Sequence, residues 1–194
     1  MDARQVTALR GFLASTGWLE RTTEFARALR RSSRTRGGLL IVGTPDAEPW
    51  HLTAHLDEES RMSGVPELEP TLIRWDPPPD APPHLRTGLT RLEQAQRGET
   101  LFVVSPQAAP DALLERVHSA RKVATVLALN QGDPELEQMA HEVLTMRPDS
   151  APMSFDAAQH LVSSAAGAAG DVPKAGLRER LGRLLNAVSG PAPR

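Results

Sequence analysis

The segments Arg36-Gly-Gly-Leu-Leu-Ile-Val-Gly43 and Gly98-Glu-Thr-Leu-Phe-Val-Val104 decide the fold of this chain. Each is a short, almost continuously apolar run that leads into a loop with two prolines. Runs without polar alternation are typical of strands that helices cover on both faces of a parallel sheet. In open parallel sheets, ligands bind at the loops that leave the carboxyl ends of the strands. The sequence therefore predicts a site near residues 44–49 and 105–110.

The rest of the chain alternates between apolar runs and helical patterns, which predicts βαβ units. Strands are predicted at residues 39–43, 71–75, 100–104, 122–129 and 142–146. Helices are predicted at residues 3–14, 18–34, 49–60, 85–97, 111–121, 134–141, 154–168 and 176–188. The expected fold is a three-layer αβα sandwich around a central parallel sheet of about five strands, with extra N-terminal and C-terminal helices.

This order divides the chain into three parts. Residues 1–35 are expected to hold helices that pack on the core or at a dimer interface. Residues 36–170 are expected to form the α/β core, and residues 171–194 a C-terminal amphipathic helix and tail. A length of 194 residues fits one domain with extensions.

Composition excludes several functional classes. The 22 basic and 24 acidic residues give a formal charge of -2, so no global field attracts nucleic acid or an anionic membrane. Cysteine is absent, and so are the glycine-rich motifs of dinucleotide and ATP sites. No apolar run approaches the roughly 20 residues of a membrane span, and the N-terminus lacks the order of a secretory signal. A soluble, cytoplasmic, bacterial protein without nucleic-acid or membrane partners is expected.

These elements resemble a known family. The helix, the Arg-x-Gly-Gly-strand-Gly order and the following histidine-bearing helix resemble the start of a sugar isomerase (SIS) domain of the phosphoheptose isomerase type. The segment Gly98–Ser105 resembles that family's Gly-Asp-strand-Ser segment, and the later elements follow in the same order to about residue 168. The resemblance implies the αβα fold, a sugar-phosphate ligand, and a homodimer or tetramer with sites near the subunit boundary.

The two predicted ligand loops depart from the family. Its loops are Gly-Asn-Gly-Gly-Ser and Ser-Thr-Ser-Gly-Asn-Ser turns, whereas this chain has Thr44-Pro-Asp-Ala47 and Ser105-Pro-Gln-Ala-Ala-Pro110. Phosphate cradles need converging backbone N–H groups, which proline lacks. The resemblance therefore implies a degenerate phosphosugar site. Its candidate ligand-binding residues are Gly43, Thr44, Asp46, Ser105 and Gln107.

Acidic residues near the helix starts also argue against a phosphate site. Asp46, Glu48 and Asp111 place carboxylates where a phosphate would otherwise gain from the helix dipole. The sequence predicts that the protein's own carboxylates fill these positions.

Histidines are the candidate catalytic and metal-binding residues. His51 and His55 are spaced i, i+4 and so share one helix face, where the family has a histidine and a glutamate that serves as base or metal ligand. His55 supplies no carboxylate for proton transfer beside a carbonyl. The pair has the spacing of a zinc site, with His160 as a third ligand. The alternative is that His51 and His55 are solvated or dimer-facing, and that His160 serves packing.

Three functions follow. The first is a divergent, non-catalytic SIS protein that binds a sugar phosphate or a related small ligand weakly, or acts as a regulatory or scaffold oligomer. The second is an active sugar-phosphate isomerase with a histidine-based site that includes zinc. The third, by analogy with SIS domains fused to regulators, is a partner of a transcription regulator.

Overall fold

The computed structural model describes residues 17–147 and 153–168, so the helices predicted at 3–14 and 176–188 lie outside the described residues. In chain order, its helices and strands are α1 (Trp18–Ser32), β1 (Leu39–Gly43), α2 (Trp50–Ser63), β2 (Pro70–Ile73), α3 (Thr90–Glu93), β3 (Thr100–Ser105), α4 (Asp111–Ala120), β4 (Thr125–Asn130), α5 (Pro134–Met139), β5 (Glu142–Thr145) and α6 (Phe155–Gly167). Short 3₁₀ turns occupy Pro66–Leu68 and Pro83–Leu85.

The sheet has five strands in the order β2-β1-β3-β4-β5, and every adjacent pair is parallel. The predicted three-layer α/β sandwich is thereby confirmed. At the centre, β1 and β3 are buried along their whole length, as their unbroken apolar sequences require. Their register pairs Leu39 with Thr100 and Gly43 with Val104.

Side chains that alternate along the strands feed two separate cores. On one face, Leu39 and Ile41 of β1 pack in a cluster with residues of α1, α2 and α6. On the other face, Leu40 and Val42 pack with residues of α3, α4 and α5. Helix α1 belongs to the first layer, where its Phe25 ring lies 5.5 Å from the ring of Phe102.

One predicted helix is largely wrong. Of residues 85–97, only Thr90–Glu93 form an α-helix, and Leu85 ends a short 3₁₀ turn. The backbone N–H of Arg74, just past β2, donates to the carbonyl of Thr87 at 2.8 Å, and Gly88 pairs with Arg74 in a parallel bridge. This pairing holds the chain extended before Thr90, so the segment forms only the single helical turn of α3.

The connections reverse direction in the middle of the sheet. The chain leaves β1 through α2 to reach β2 at one edge, and it leaves β3 through α4 to reach β4 on the opposite side. The adjacent strands β1 and β3 therefore flank a topological switch point, where open α/β sheets bind ligands. Among the described residues, no helix is long and apolar enough to cross a membrane.

Candidate functional site

A cleft of about 330 Å³ opens at this switch point, within the size range of small-molecule sites. Its walls come from the loop after β1 and the start of α2, the end of β3, and the start of α6. The lining residues are Ala47, Glu48, Pro49, Trp50, His51, Val104, Pro106, Ser154, Phe155, Asp156 and Gln159. Residues of both predicted loops, 44–49 and 105–110, contribute to this lining, and the start of α6 supplies residues that were not predicted.

The loop after β1 folds tightly over the end of its strand. A Cβ atom on Gly43 would lie 2.1 Å from the carbonyl oxygen of Ala47 and 2.7 Å from Cδ of Pro49, so only glycine fits there. The backbone N–H of Ala47 donates to the carbonyl of Thr44 at 3.1 Å and closes the turn. From beyond β2, the indole N–H of Trp75 donates to the Gly43 carbonyl at 2.8 Å.

The loop after β3 is tied to itself and to the first loop. Ser105 is fully buried, and its hydroxyl donates to the backbone carbonyl of Gln107. The side-chain oxygen of Gln107 accepts from the hydroxyl of Thr44 at 3.3 Å. Two hydroxyls that the family resemblance suggested for a ligand are therefore bonded within the protein.

Of the five candidate ligand-binding residues, none is among those that line the cleft. Asp46 and Gln107 are exposed, whereas Gly43, Thr44 and Ser105 are buried. Their role in ligand binding stays a prediction.

Glu48 does not fill a helix start as predicted. Its carboxylate accepts from Nε of Arg74 at 3.1 Å and from the backbone N–H of Trp75 at 3.0 Å. The first turn of α2 contains no acidic residue. The Arg74 guanidinium in turn lies 4.6 Å from the ring centroid of Trp50, at the cleft wall. No local sequence pattern predicts this contact, because Arg74 follows a different strand.

Of the three acidic residues predicted at helix starts, Asp111 does lie in the first turn of its helix, α4.

The start of α6, which lines the cleft, carries an acidic residue and a capping residue. The carboxylate of Asp156 lies in the first turn of α6 and accepts from the side-chain amide of Gln159 at 3.1 Å. Ser154 caps this helix by accepting from the N–H of Ala157 at 3.2 Å.

The three candidate histidines do come together. The ring centroids of His55 and His160 lie 4.3 Å apart, and the His51 centroid lies 6.3 Å from each of them. Of the three, only His51 lines the cleft. Burial, followed by the neighbouring His55 and His51, lowers the pKa of His160, while Asp156 acts in the opposite direction.

A zinc ion would need nitrogen atoms that converge on one point at roughly 2.1 Å. Within the described ranges, no group of three His, Cys, Asp or Glu side chains is arranged to hold a metal ion. The residues present therefore do not form a ready zinc site, and the edge-to-face packing of His55 against His160 fits the packing alternative better.

Sequence reasoning missed most of the residues that form the cleft wall. Trp50, Phe155 and Asp156 belong to no motif, and the parallel β-sheet brings them together only through the placement of α2 and α6. A recognisable signal existed for the start of α6, because Ser154 precedes the helical run as a typical N-cap residue.

Comparisons place the fold among known proteins. No protein-family model and no curated protein matches the chain. Among solved structures, it aligns over 96% of its length with the sugar isomerase domain of the RpiR transcription factor from Sphaerobacter thermophilus, covering 94% of that chain at 15% identity and a TM-score of 0.55. It aligns over 95% of its length with the NanR protein of Vibrio vulnificus complexed with ManNAc-6P, covering 67% of that chain at 11% identity and a TM-score of 0.52.

A third match is a protein from Silicibacter pomeroyi DSS-3 that is provisionally named a phosphosugar isomerase. The alignment covers 96% of this chain at 13% identity and a TM-score of 0.56, and this chain spans about half of that protein, 54%. At such identities the likeness shows the fold alone. The protein has the sugar isomerase fold that regulators and isomerases share, and the matches do not single out the phosphoheptose isomerase type.

Proposed function

We propose that this chain is a non-catalytic ligand-binding domain of the sugar isomerase fold, which senses a small sugar or sugar phosphate in a regulatory role. The observation that carries the proposal is the cleft of about 330 Å³ between the carboxyl ends of β1 and β3. It lies where this topology places ligands, and its size suits a sugar ring.

The groups around the cleft favour binding without turnover. Isomerisation of a sugar needs a base that reaches a proton next to a carbonyl. Both carboxylate oxygens of Glu48 accept hydrogen bonds from the protein, and one oxygen of Asp156 accepts from Gln159. His55, at the position of the family's glutamate, packs against His160 and does not line the cleft.

A regulatory role agrees with the similar structures. One is the sugar isomerase domain of a transcription factor, and another is NanR with a sugar phosphate bound. We therefore favour a sensor whose ligand changes its contacts with a regulator, including a DNA-binding partner. This proposal includes self-association as a dimer or tetramer, which light scattering tests as a mass of two or four times the 21.0 kDa chain. A cytoplasmic location stays a prediction.

The histidine cluster supports a second candidate, an isomerase. His51 lines the cleft and lies 6.3 Å from both His55 and His160, so an imidazole is available for proton transfer. Turnover of a sugar phosphate that is lost in His51→Gln and kept in His118→Gln would establish this candidate in place of the first. His118 is an exposed residue of α4 and serves as the matched control.

Thermal unfolding against a panel of sugars and sugar phosphates tests the first proposal. A ligand at 100 times its Kd adds about 2.7 kcal/mol, which raises Tm by roughly 5–10 °C in a chain of this size. Ala47→Phe, which fills the cleft, should abolish the shift. Ala54→Phe, on the exposed face of α2, should retain it. If no compound shifts Tm, or if Ala47→Phe keeps the shift, the cleft is not the ligand site.

A further inference from the structure

The cleft is lined by acidic side chains, which is unusual for a site expected to bind sugar phosphates. Its charged lining residues in the described part of the chain are Glu48 and Asp156, and no lysine or arginine lines it there. The guanidinium of Arg74 binds Glu48 and covers Trp50, so its charge is already balanced. A phosphate in this cleft would face the carboxylate of Asp156 with no lysine or arginine to balance it, the imidazole of His51 being the one basic side chain in the described lining, and like charges repel.

The backbone around the cleft offers few hydrogen bonds to a phosphate. Pro49 and Pro106 have no N–H, and the N–H of Trp50 already donates to the carbonyl of Glu48 at 2.9 Å. The N-terminus of a helix attracts anions, but the first turn of α6 already carries the carboxylate of Asp156. The prolines therefore remove backbone donors beside the cleft, and at the start of α6 a carboxylate already interacts with the helix dipole that a phosphate would use.

The same walls suit a neutral polyhydroxylated ring. Trp50 is 38% exposed although it lines the cleft, and Phe155 of α6 is a second aromatic residue in the lining. Stacking of Arg74 on Trp50 holds the indole in place. Aromatic faces pack against the C–H groups of a ring, while the carboxylate of Asp156 and the amide of Gln159 are polar partners for its hydroxyls.

We infer that the cleft selects an unphosphorylated sugar, stacked on Trp50 and hydrogen-bonded by Asp156, over its phosphorylated form. This inference rests on the proposed function, since it names the ligand class of the same cleft. It separates this chain chemically from a phosphosugar sensor that keeps the same fold.

Calorimetric titration with matched pairs tests the inference. The probes are N-acetylmannosamine, glucose and fructose, each beside its 6-phosphate, at neutral pH. We expect at least one free sugar to bind about tenfold more tightly than its 6-phosphate, the scale of one unfavourable charge contact. If the 6-phosphate binds equally well or better, the inference is wrong and the proposed function stands. If no probe binds, both are wrong.

Two substitutions separate stacking from charge. Trp50→Ala should weaken the free sugar about tenfold or more, whereas Met62→Ala, an exposed residue on the same helix, should leave its affinity unchanged. Asp156→Asn keeps an oxygen for Gln159 but removes the charge, so it should raise affinity for the 6-phosphate about tenfold. An unchanged affinity of Trp50→Ala for the free sugar would overturn the stacking argument. An unchanged ratio of the affinities for the free sugar and its 6-phosphate in Asp156→Asn would overturn the charge argument.

Discussion

The imidazole rings of His55 and His160 meet edge to face, with their centroids 4.3 Å apart. His55 belongs to α2 and His160 to α6, so this contact joins the two helices that flank the cleft. His51 stands 6.3 Å from both rings, and Glu58 lies 3.9 Å from Nδ1 of His55. Protonation within this cluster would place like charges between the two helices.

Acidification should therefore destabilise the fold through His160. Its pKa is lowered in the folded protein, chiefly by burial and by His55, from the ordinary value of 6.5. Between that value and the lower folded pKa, the unfolded chain binds more protons, so the free energy of unfolding falls as the pH falls. The loss begins near the unfolded pKa and is complete below the folded one. Urea denaturation from about pH 8 to about pH 5 measures this slope.

The variant His160→Gln should show a shallower pH dependence than the wild type. His118→Gln, at an exposed position on α4, is the matched histidine control and should keep the wild-type difference. A slope in His160→Gln as steep as in the wild type would show that other groups carry the acid sensitivity.

Gly43→Ala should be strongly destabilising. The added Cβ would lie 2.1 Å from the carbonyl oxygen of Ala47, a residue that cannot move freely because its N–H closes the turn over β1 by donating to Thr44. We expect a loss of about 3 kcal/mol or more in the free energy of unfolding. Gly88→Ala is the control, because its nearest contact would be an ordinary 3.6 Å to Pro77, and it should stay within about 1 kcal/mol of the wild type. Equal stabilities of the two variants in urea would contradict the tight turn.

Asp133→Ala should cost more than the loss of an ordinary helix cap. One carboxylate oxygen accepts from the N–H groups of Glu135 and Leu136 at 3.1 Å, and the other accepts from Ala109 at 2.7 Å. The side chain therefore caps α5 and also holds the loop after β3. We expect a loss of about 2–4 kcal/mol, against about 0.5–1 kcal/mol for Ser154→Ala, which frees one exposed N–H. Similar losses in chemical denaturation would mean that the bond to Ala109 contributes nothing.

The sheet was predictable because its signal is local. The apolar runs of β1 and β3 need no partner to be recognised, and both strands lie within one residue of their predicted bounds. Residues 85–97 were misjudged because their conformation depends on pairing with Arg74, which no local pattern reveals. Local periodicity determines an element only where tertiary pairing does not override it.

The site was predictable in place but not in its side chains. Parallel strands bring the two loops to one edge, so their sequences located the cleft. The direction in which each side chain points depends on the loop backbone. The partners of Glu48 and His55 lie on elements that are distant in the sequence. The internal hydrogen bonds of the Thr44 and Ser105 hydroxyls likewise could not be predicted from the sequence, and the role of these residues in ligand binding stays a prediction.

The pairing of Glu48 with Arg74 should stabilise the cleft wall more than a surface ion pair would. Their side chains are only 13% and 18% exposed, and the guanidinium also packs on Trp50. A double-mutant cycle with Glu48→Ala and Arg74→Ala should give a coupling free energy of about 1–2 kcal/mol. The control cycle uses Asp57 and Arg61 of α2, which are 44% and 73% exposed, and should give about 0.3–0.5 kcal/mol. If the two coupling energies are equal, partial burial does not strengthen the pair, and Arg74 is held at Trp50 by stacking alone.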